Sequence, residues 1–361
     1  MRLKNGHTRP EIKGEEPFVR MNYAEYLDQE LRLDKVIEQG PLVMDLFAGA
    51  GGLALGFEAA GFRTVGFEMN PDCCETYSRN LRGKCCQTVL APGIELGVRP
   101  DVIIGGPPCQ PFSVGGLQEG HRDTRDGFPA FLSAVGQYAP KVAMFENVRG
   151  MFYRNRAYLD KIVDSLRNFG YAVDMKVLNA VDFGVPQRRE RLFVAAHRGG
   201  WEFPTSRQCL TRFTAGEALA GLSDMAPAGA KYLTASMDAY VARYERASKC
   251  IRPRDLHLEE PSRTVTCRNL NGATGDMLRV RLPDGSRRRL TVREGARLQS
   301  FPDWFEFIGT EGSQFNQIGN AVPPLLAKAV AVKVMRCLEN TSLEGSAMKR
   351  RGGILRQLTI R

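Results

Sequence analysis

One cysteine at the end of an apolar run is the residue in this chain best suited to covalent chemistry. Cys109 lies in Asp101-Val-Ile-Ile-Gly-Gly-Pro-Pro-Cys-Gln-Pro-Phe-Ser113. Val102 to Ile104 read as a buried strand and the following glycines and prolines as a rigid turn, so Pro108, Cys109 and Gln110 stand at the strand's carboxyl end. In open α/β sheets that edge is where ligands bind. A thiol there matters because thiolate is a strong nucleophile at neutral pH, and its formation depends on local positive charge.

Four other segments carry groups that complement such a nucleophile. Lys141-Val-Ala-Met-Phe-Glu146-Asn147-Val148 is a second apolar strand ending in an acid. Gln187-Arg188-Arg189-Glu190-Arg191 is a guanidinium cluster just before the apolar run Leu192 to Ala196. Asp45-Leu-Phe-Ala-Gly49-Ala-Gly51-Gly52 is a glycine loop, and Gln317-Ile-Gly-Asn320-Ala-Val-Pro-Pro324 lies near the end of the chain.

In this order the five segments resemble the DNA (cytosine-5) methyltransferase family of bacterial restriction–modification systems, over roughly residues 41 to 335. Cytosine C5 is a poor nucleophile. A thiolate added to C6 turns the ring into an enamine whose C5 attacks an electrophilic methyl group. The resemblance implies that Cys109 is that nucleophile and that Glu146 contacts N3 and the exocyclic amine. It also implies that Arg189 and Arg191 hold the negative charge developing near O2 and favour the thiolate. The segment 113–127, with four glycines, has the composition of a lid, and by resemblance it closes over the target base.

The glycine loop follows a strand and opens a helix. It lets the backbone approach a ligand and points helix N–H groups at negative charge. Glu68, 19 residues after Gly49, is placed to accept both hydroxyls of a ribose. These features alone fit either NAD or S-adenosylmethionine, and the resemblance selects S-adenosylmethionine, released as S-adenosylhomocysteine. It sets Phe47, with Ala48, near the adenine or sulfonium, and Gly49, Ala50, Gly51 and Gly52 along the methionine moiety. Glu68 takes the ribose, Met69 packs on the adenine, and Pro108, Asn320 and Ala321 close the site. One departure stands out. The family places an Asp before its next strand for the adenine amino group, whereas Cys86-Gln87-Thr88-Val89 has no acid, so a backbone carbonyl is the expected substitute.

A base inside a duplex hides its C5–C6 face, so the target must be flipped out. Residues 201–290 stand where the family carries its target-recognition domain, and Pro261-Ser-Arg-Thr264-Val265-Thr-Cys-Arg268 resembles a short segment of it. Thr264, Arg268, Asn269, Asn271, Arg279 and Arg281, with Gln110 beside Cys109 and Ser113 of the lid, are the candidate DNA contacts. Most are expected on phosphates, which outnumber base contacts. The element Arg289 to Asp303 reads as scaffold.

The composition agrees with this. The chain has 361 residues, 43% hydrophobic and 25% charged, enough for one large domain or two unequal ones. No apolar stretch is long enough to span a bilayer, and the N-terminus lacks a signal-peptide core, so the expectation is a bacterial cytoplasmic protein associated with DNA. Nine cysteines and four histidines, without a Cys-x-x-Cys pair, suit a reducing compartment and no metal site, even at Cys73-Cys74 and Cys85-Cys86. The net charge is +10; residues 201–290 carry +5 of it and 341–361 carry +4, which points to a polyanionic partner.

The elements that must position these groups alternate. Leu42–Phe47, Thr64–Glu68, Val102–Ile104 and Val142–Phe145 read as strands. Leu53–Ala60, Asp72–Leu81, Pro129–Gln137 and Tyr158–Phe169 read as helices between them. That pattern predicts an α/β fold with a mostly parallel, doubly wound sheet, Rossmann-like by the resemblance. We divide the chain into an extension at 1–40 with a helix over 21–38, a catalytic and cofactor domain at 41–200, and a smaller domain of irregular strands at 201–290. A return segment at 291–340, where alternation resumes and Pro324–Glu339 closes as a helix, and a basic tail at 341–361 complete it. A monomeric enzyme acting on double-stranded DNA, paired with a restriction endonuclease, is the expected protein. Its rivals are a tRNA cytosine methyltransferase on the same scaffold, a silent nucleic-acid-binding regulator, and an NAD oxidoreductase that leaves the thiol unexplained.

Overall fold

The structure is a computed structural model, and it describes residues 21–33, 39–108, 126–206, 212–222, 230–247, 254–272 and 275–340. Cys109, Gln110, Ser113, the rest of the lid up to residue 125 and the basic tail lie outside the described residues.

Seven strands form the central sheet. β1 (Leu42–Leu46), β2 (Arg63–Glu68), β3 (Cys85–Gln87), β4 (Val102–Gly105) and β5 (Val142–Val148) run parallel, while β7 (Glu190–His197) is antiparallel to β5 and to β6 (Ala172–Asn179). The order is β3-β2-β1-β4-β5-β7-β6, with α3 (Pro71–Asn80) joining β2 to β3 and α5 (Gly150–Tyr153) directly after β5. β1, β4 and β5 are buried on both faces, which is why their sequences are near-continuous apolar runs. Their side chains alternate between two cores. Val43, Val102, Ile104, Val142 and Met144 join one cluster; Met44, Leu46, Ile103, Ala143 and Phe145 join the other.

The second cluster is covered by α4 (Phe128–Tyr138) and α6 (Arg156–Asn168) through Phe128, Phe131, Leu159, Ile162, Val163 and Leu166. The first receives α2 (Gly52–Ala59) and the closing helix over 324–340 (α12). It also receives α1 (Tyr23–Leu31), which enters through an Asn22/Glu25 capping box and buries Tyr23, Leu27 and Leu31. The helix ends at Leu31, with Arg32 already extended, and residues 34–38 of the predicted helix lie outside the described residues.

Two strands escape the sequence pattern. β3 has three residues, none of them buried. β6 is an edge strand, largely exposed or half-buried, and carries Asp174 and Lys176, a composition that protects an edge. The predicted resumption of alternation after Leu290 is also corrected: α10 (Val292–Leu298) and α11 (Glu311–Asn320) precede α12, with no strand among them.

Within 201–290 the described residues hold a two-stranded antiparallel hairpin, β8 (Arg279–Arg281) and β9 (Arg287–Arg289). They also hold three helices, α7 (Ala215–Leu219), α8 (Ala235–Ala247) and α9 (Cys267–Leu270). The hairpin matches the Asp284-Gly285 turn signal, whereas α8 replaces an expected stretch of irregular strand. Phe213, Leu219, Leu256, Val265, Leu270, Leu278 and Val280 join the first core cluster, so this region shares a core with the sheet.

Candidate active site

The carboxyl ends of β1, β2, β4 and β5 meet at one edge of the sheet, and antiparallel β7 begins there. The register of β5 and β7 pairs Glu146 with Phe193 and Val148 with Arg191. Arg191 is two residues from Phe193, so its side chain shares the face of Glu146. Arg191 Nε stands 2.9 Å from Glu146 Oε1, and both side chains are nearly buried, 13% and 11% exposed. Burial pushes the Glu146 carboxyl above its ordinary range, against the opposing charges of Arg191 and Arg189. Glu146 therefore holds a proton more readily than a surface glutamate does. Pro107 is tied to the same strand end, because its carbonyl accepts from Asn147 Nδ2 at 3.0 Å. The Pro108 carbonyl accepts from Gly127 N at 3.0 Å. The turn leading to Cys109 is thus anchored on both sides.

Arg189 faces the same way but does other work. Its guanidinium is 1% exposed. Nη1 donates to the Val265 carbonyl at 2.6 Å, and Nη2 donates to those of Gly319 and Ala321 at 3.1 and 2.9 Å. Both terminal nitrogens are committed to backbone, so we revise its expected contact with cytosine O2: Arg189 is a clamp, and Arg191 is the arginine beside the acid. Gln187 and Gln299 extend the clamp. Gln187 Nε2 donates to Leu298 O and Gln299 Oε1, its Oε1 accepts from Val265 N, and Gln299 Nε2 donates to Ile318 O. Gln187, Arg189 and Arg191 alternate in step with Phe193 and Ala195. That period of two is the sequence signal that would have placed Gln187 in this network.

On the cofactor side, Gly49 and Gly51 take positive φ, +52° and +86°. A Cβ at Gly51 would also meet Leu81 and Tyr77 at 2.7 and 2.8 Å, so both backbone and space require glycine there. Phe47 has φ +57°, a conformation costing a non-glycine residue about 1–2 kcal/mol. It sits where β1 turns into the loop. Glu68 Oε2 accepts from Gly49 N and Oε1 from Asn70 N, both at 2.9 Å. The carboxylate thus braces the loop while keeping lone pairs for a diol. Met69 is 65% and Val89 71% exposed beside it, apolar surface suited to a planar ring. Thr88 N donates to Glu68 O at 2.8 Å. The loop, the braced acid and the bare apolar side chains fit an adenosine-bearing sulfonium. Asn320 and Ala321 close α11, with Asn320 Oδ1 accepting from Cys267 Sγ at 2.9 Å. A Cβ at Gly319 would lie 2.1 Å from Cys267 N, so α11 and the recognition segment touch backbone to backbone. Among the described residues, no three His, Cys, Asp or Glu side chains converge as a metal site.

The candidate DNA contacts separate. Arg268 is exposed at 77% and Arg281 is exposed. Thr264 lines a cleft of about 540 Å³ with Val148, Arg149, Arg188, Glu190 and Arg191, and its Oγ1 donates to Arg188 O at 2.8 Å. Two assignments are corrected. Arg279 is 1% exposed and paired with Asp255 at 2.6 Å and Glu245 at 3.2 Å, an internal ion pair bracing β8. Asn269 is 2% exposed, caps α9 and donates to Thr264 O. Asn271 Nδ2 donates to Asn316 Oδ1.

The model of the C-5 cytosine-specific DNA methylase family matches residues 42–336. The chain belongs to this family. As a cytosine-5 DNA methyltransferase it draws its methyl group from S-adenosylmethionine. The Type II methyltransferase M.AplI of Arthrospira platensis is 60% identical over 322 residues, 89% of this chain and 93% of its own length. M.XorII of Xanthomonas oryzae pv. oryzae is 33% identical, covering 85% and 88%. Among solved structures, Entamoeba histolytica EhMeth aligns with a TM-score of 0.64 at 16% identity, over 84% of this chain and 99% of its own. Dnmt2 of S. pombe aligns at 0.63 and 19%, over 83% and 99%. These two likenesses show the fold alone, an α/β Rossmann-like methyltransferase. Among the described residues no helix is long and apolar enough to cross a membrane.

Proposed function

We propose that this methyltransferase modifies a flipped-out cytosine through a covalent bond from Cys109 Sγ to C6, with Glu146 and Arg191 on the ring and residues 201–290 choosing the site. The buried pair of Glu146 and Arg191, 2.9 Å apart beside the anchored proline turn, carries the reading. It sets a protonatable acid and a fixed cation side by side where a ring nitrogen and a carbonyl oxygen are adjacent. As the Sγ–C6 bond forms, the C5–C6 electrons shift toward C5 and charge builds on O2 and N3. Arg191 meets the first and Glu146 gives its proton to the second. S-adenosylmethionine supplies a methyl group on a sulfonium and leaves as S-adenosylhomocysteine. With the C5–methyl bond made, a base takes the C5 proton, the C5–C6 double bond re-forms, the thiolate is expelled, and N3 returns its proton to Glu146. Glu68 holds the ribose and Met69 the adenine, with Asn320 and Ala321 closing the pocket. No step needs a metal ion.

The likeness to M.AplI along nearly the whole of both chains supports a modification enzyme of a Type II restriction–modification system. We place it in the bacterial cytoplasm as a monomer that protects DNA from a cognate endonuclease. Bisulfite sequencing of DNA from cells expressing the chain tests this. The expected result is 5-methylcytosine at one short recurring sequence, and DNA unmodified relative to cells without the chain would refute it.

A further inference from the structure

The mouth of the cleft in front of Arg191 carries two more arginines, and a glutamate already holds each. Arg149, just past β5, pairs with Glu190 at the start of β7. Arg188 pairs with Glu260 of the small region at 3.1 Å. Arg149, Arg188 and Glu190 line the cleft itself. All four side chains are at least 37% exposed.

Stability does not account for these pairs, since exposed ion pairs contribute little to it. Nor are they needed to hold the segments together. Arg188 N donates to Ser262 O and Thr264 Oγ1 donates to Arg188 O, both at 2.8 Å, so backbone already joins that turn to the small region. A carboxylate at the entrance to a site for a polyanion is also unfavourable once the substrate is present. Arg149 lies 5.1 Å from the Tyr153 ring centroid, a stacking contact that keeps its guanidinium at the rim when the glutamate lets go.

We propose that Arg149 and Arg188 bind phosphates of the strand flanking the target base, and that Glu190 and Glu260 occupy them until DNA displaces the carboxylates. This rests on the chain's being a DNA methyltransferase and adds a latch to it. One oxyanion replaces another on each guanidinium, and a phosphate suits the arginine fork as well as a carboxylate does. The latch holds DNA affinity below what free arginines would give and assists release of the methylated duplex.

Fluorescence anisotropy of a labelled duplex carrying the site mapped by bisulfite sequencing, titrated across a salt series, tests the exchange. Glu190→Gln and Glu260→Gln are each expected to tighten binding roughly threefold or more at low salt. Arg149→Ala and Arg188→Ala are expected to weaken it and to lower the slope of log affinity against log salt by about one each. The gain from Glu260→Gln should vanish in an Arg188→Ala background. Glu259→Gln removes the same charge one residue away, on an exposed side chain, and should gain less. Equal gain from Glu259→Gln, or a Glu260→Gln gain that persists without Arg188, would overturn the latch while leaving the methyltransferase intact. Wild-type protein whose DNA binding ignores salt would overturn both.

Discussion

Arg191 and Glu146 meet because β7 runs antiparallel to β5, which brings the first residues of one strand against the last residues of the other with Nε 2.9 Å from Oε1. A parallel β7 would have carried its arginines to the far edge of the sheet. The reversal of one strand thus assembles the acid and the cation beside the turn that delivers Cys109.

Glu146 leads to a pH prediction with a definite sign. Burial raises its folded pKa above the ordinary 4.5. Near and above 4.5 the unfolded chain has released a proton that the folded protein still holds. The group's contribution to stability is therefore full below that pH and is lost as pH rises through the folded pKa. Glu146→Gln does not ionise. In thermal melts, wild type should lose stability relative to the variant as pH rises from 4.5 through the weakly acidic range. A pH-independent difference would contradict the shifted acid. In the reaction, Glu146→Gln should slow adduct formation on the order of a hundredfold, the scale of lost acid assistance.

Arg189 and Arg191 should fail differently. Arg189→Ala takes the donor from the Val265 and Gly319 carbonyls, while Ala321 O keeps Gln299 Nε2, and should cost on the order of 2 kcal/mol or more of stability, read as a lower Tm. Arg191→Ala should cut the rate of methyl transfer with a smaller loss of Tm. Equal Tm losses would remove the distinction between clamp and catalytic group.

Glu68→Ala should weaken S-adenosylmethionine binding by roughly 1–3 kcal/mol, measured by calorimetry, since the variant loses the ribose partner and frees Gly49. Unchanged affinity would reject that role. Thr88→Asp supplies the acid that the family usually places there. Tighter binding would show that the adenine amino group lacks a partner here. No gain is the outcome expected if a backbone carbonyl already serves.

Exchange of residues 201–290 for the same region of a relative should move methylation to another sequence. Val265, Leu270, Leu278 and Val280 belong to the core of the sheet, so the hybrid must keep their volumes to fold. An active hybrid that retains the original site would show that specificity lies elsewhere.

Legibility in the sequence followed burial. β1, β4 and β5 were readable because both faces are covered and their residues are apolar but for Asp45 in β1 and Glu146 and Asn147 near the end of β5. β6 was not, because an edge strand with Asp174 and Lys176 has the composition of a loop. β3 is too short and too exposed to show a period. At the site, the order of Phe47, Gly49, Glu68, Glu146 and Arg191 along the chain pointed to residues that the strands bring to one edge of the sheet. Arg189 and Arg279 were legible only as charges. Whether an arginine meets solvent, a carbonyl or a distant acid such as Asp255 is decided by tertiary contacts that no local pattern encodes.

The mechanism turns on whether Cys109 Sγ adds to C6. If it does, the cycle passes through a protein–DNA adduct that is resolved only by removing the C5 proton, and fluorine in place of that hydrogen blocks the last step. A duplex carrying 5-fluorocytosine at the target, incubated with the enzyme and S-adenosylmethionine, should yield a complex that survives denaturation. Cys109→Ser should abolish it, because a serine hydroxyl is a far weaker nucleophile at neutral pH, while binding of unmodified DNA persists. A Cys109→Ser protein that still methylates at near the wild-type rate, or a wild-type protein that forms no trapped complex, would rule out covalent addition by Cys109.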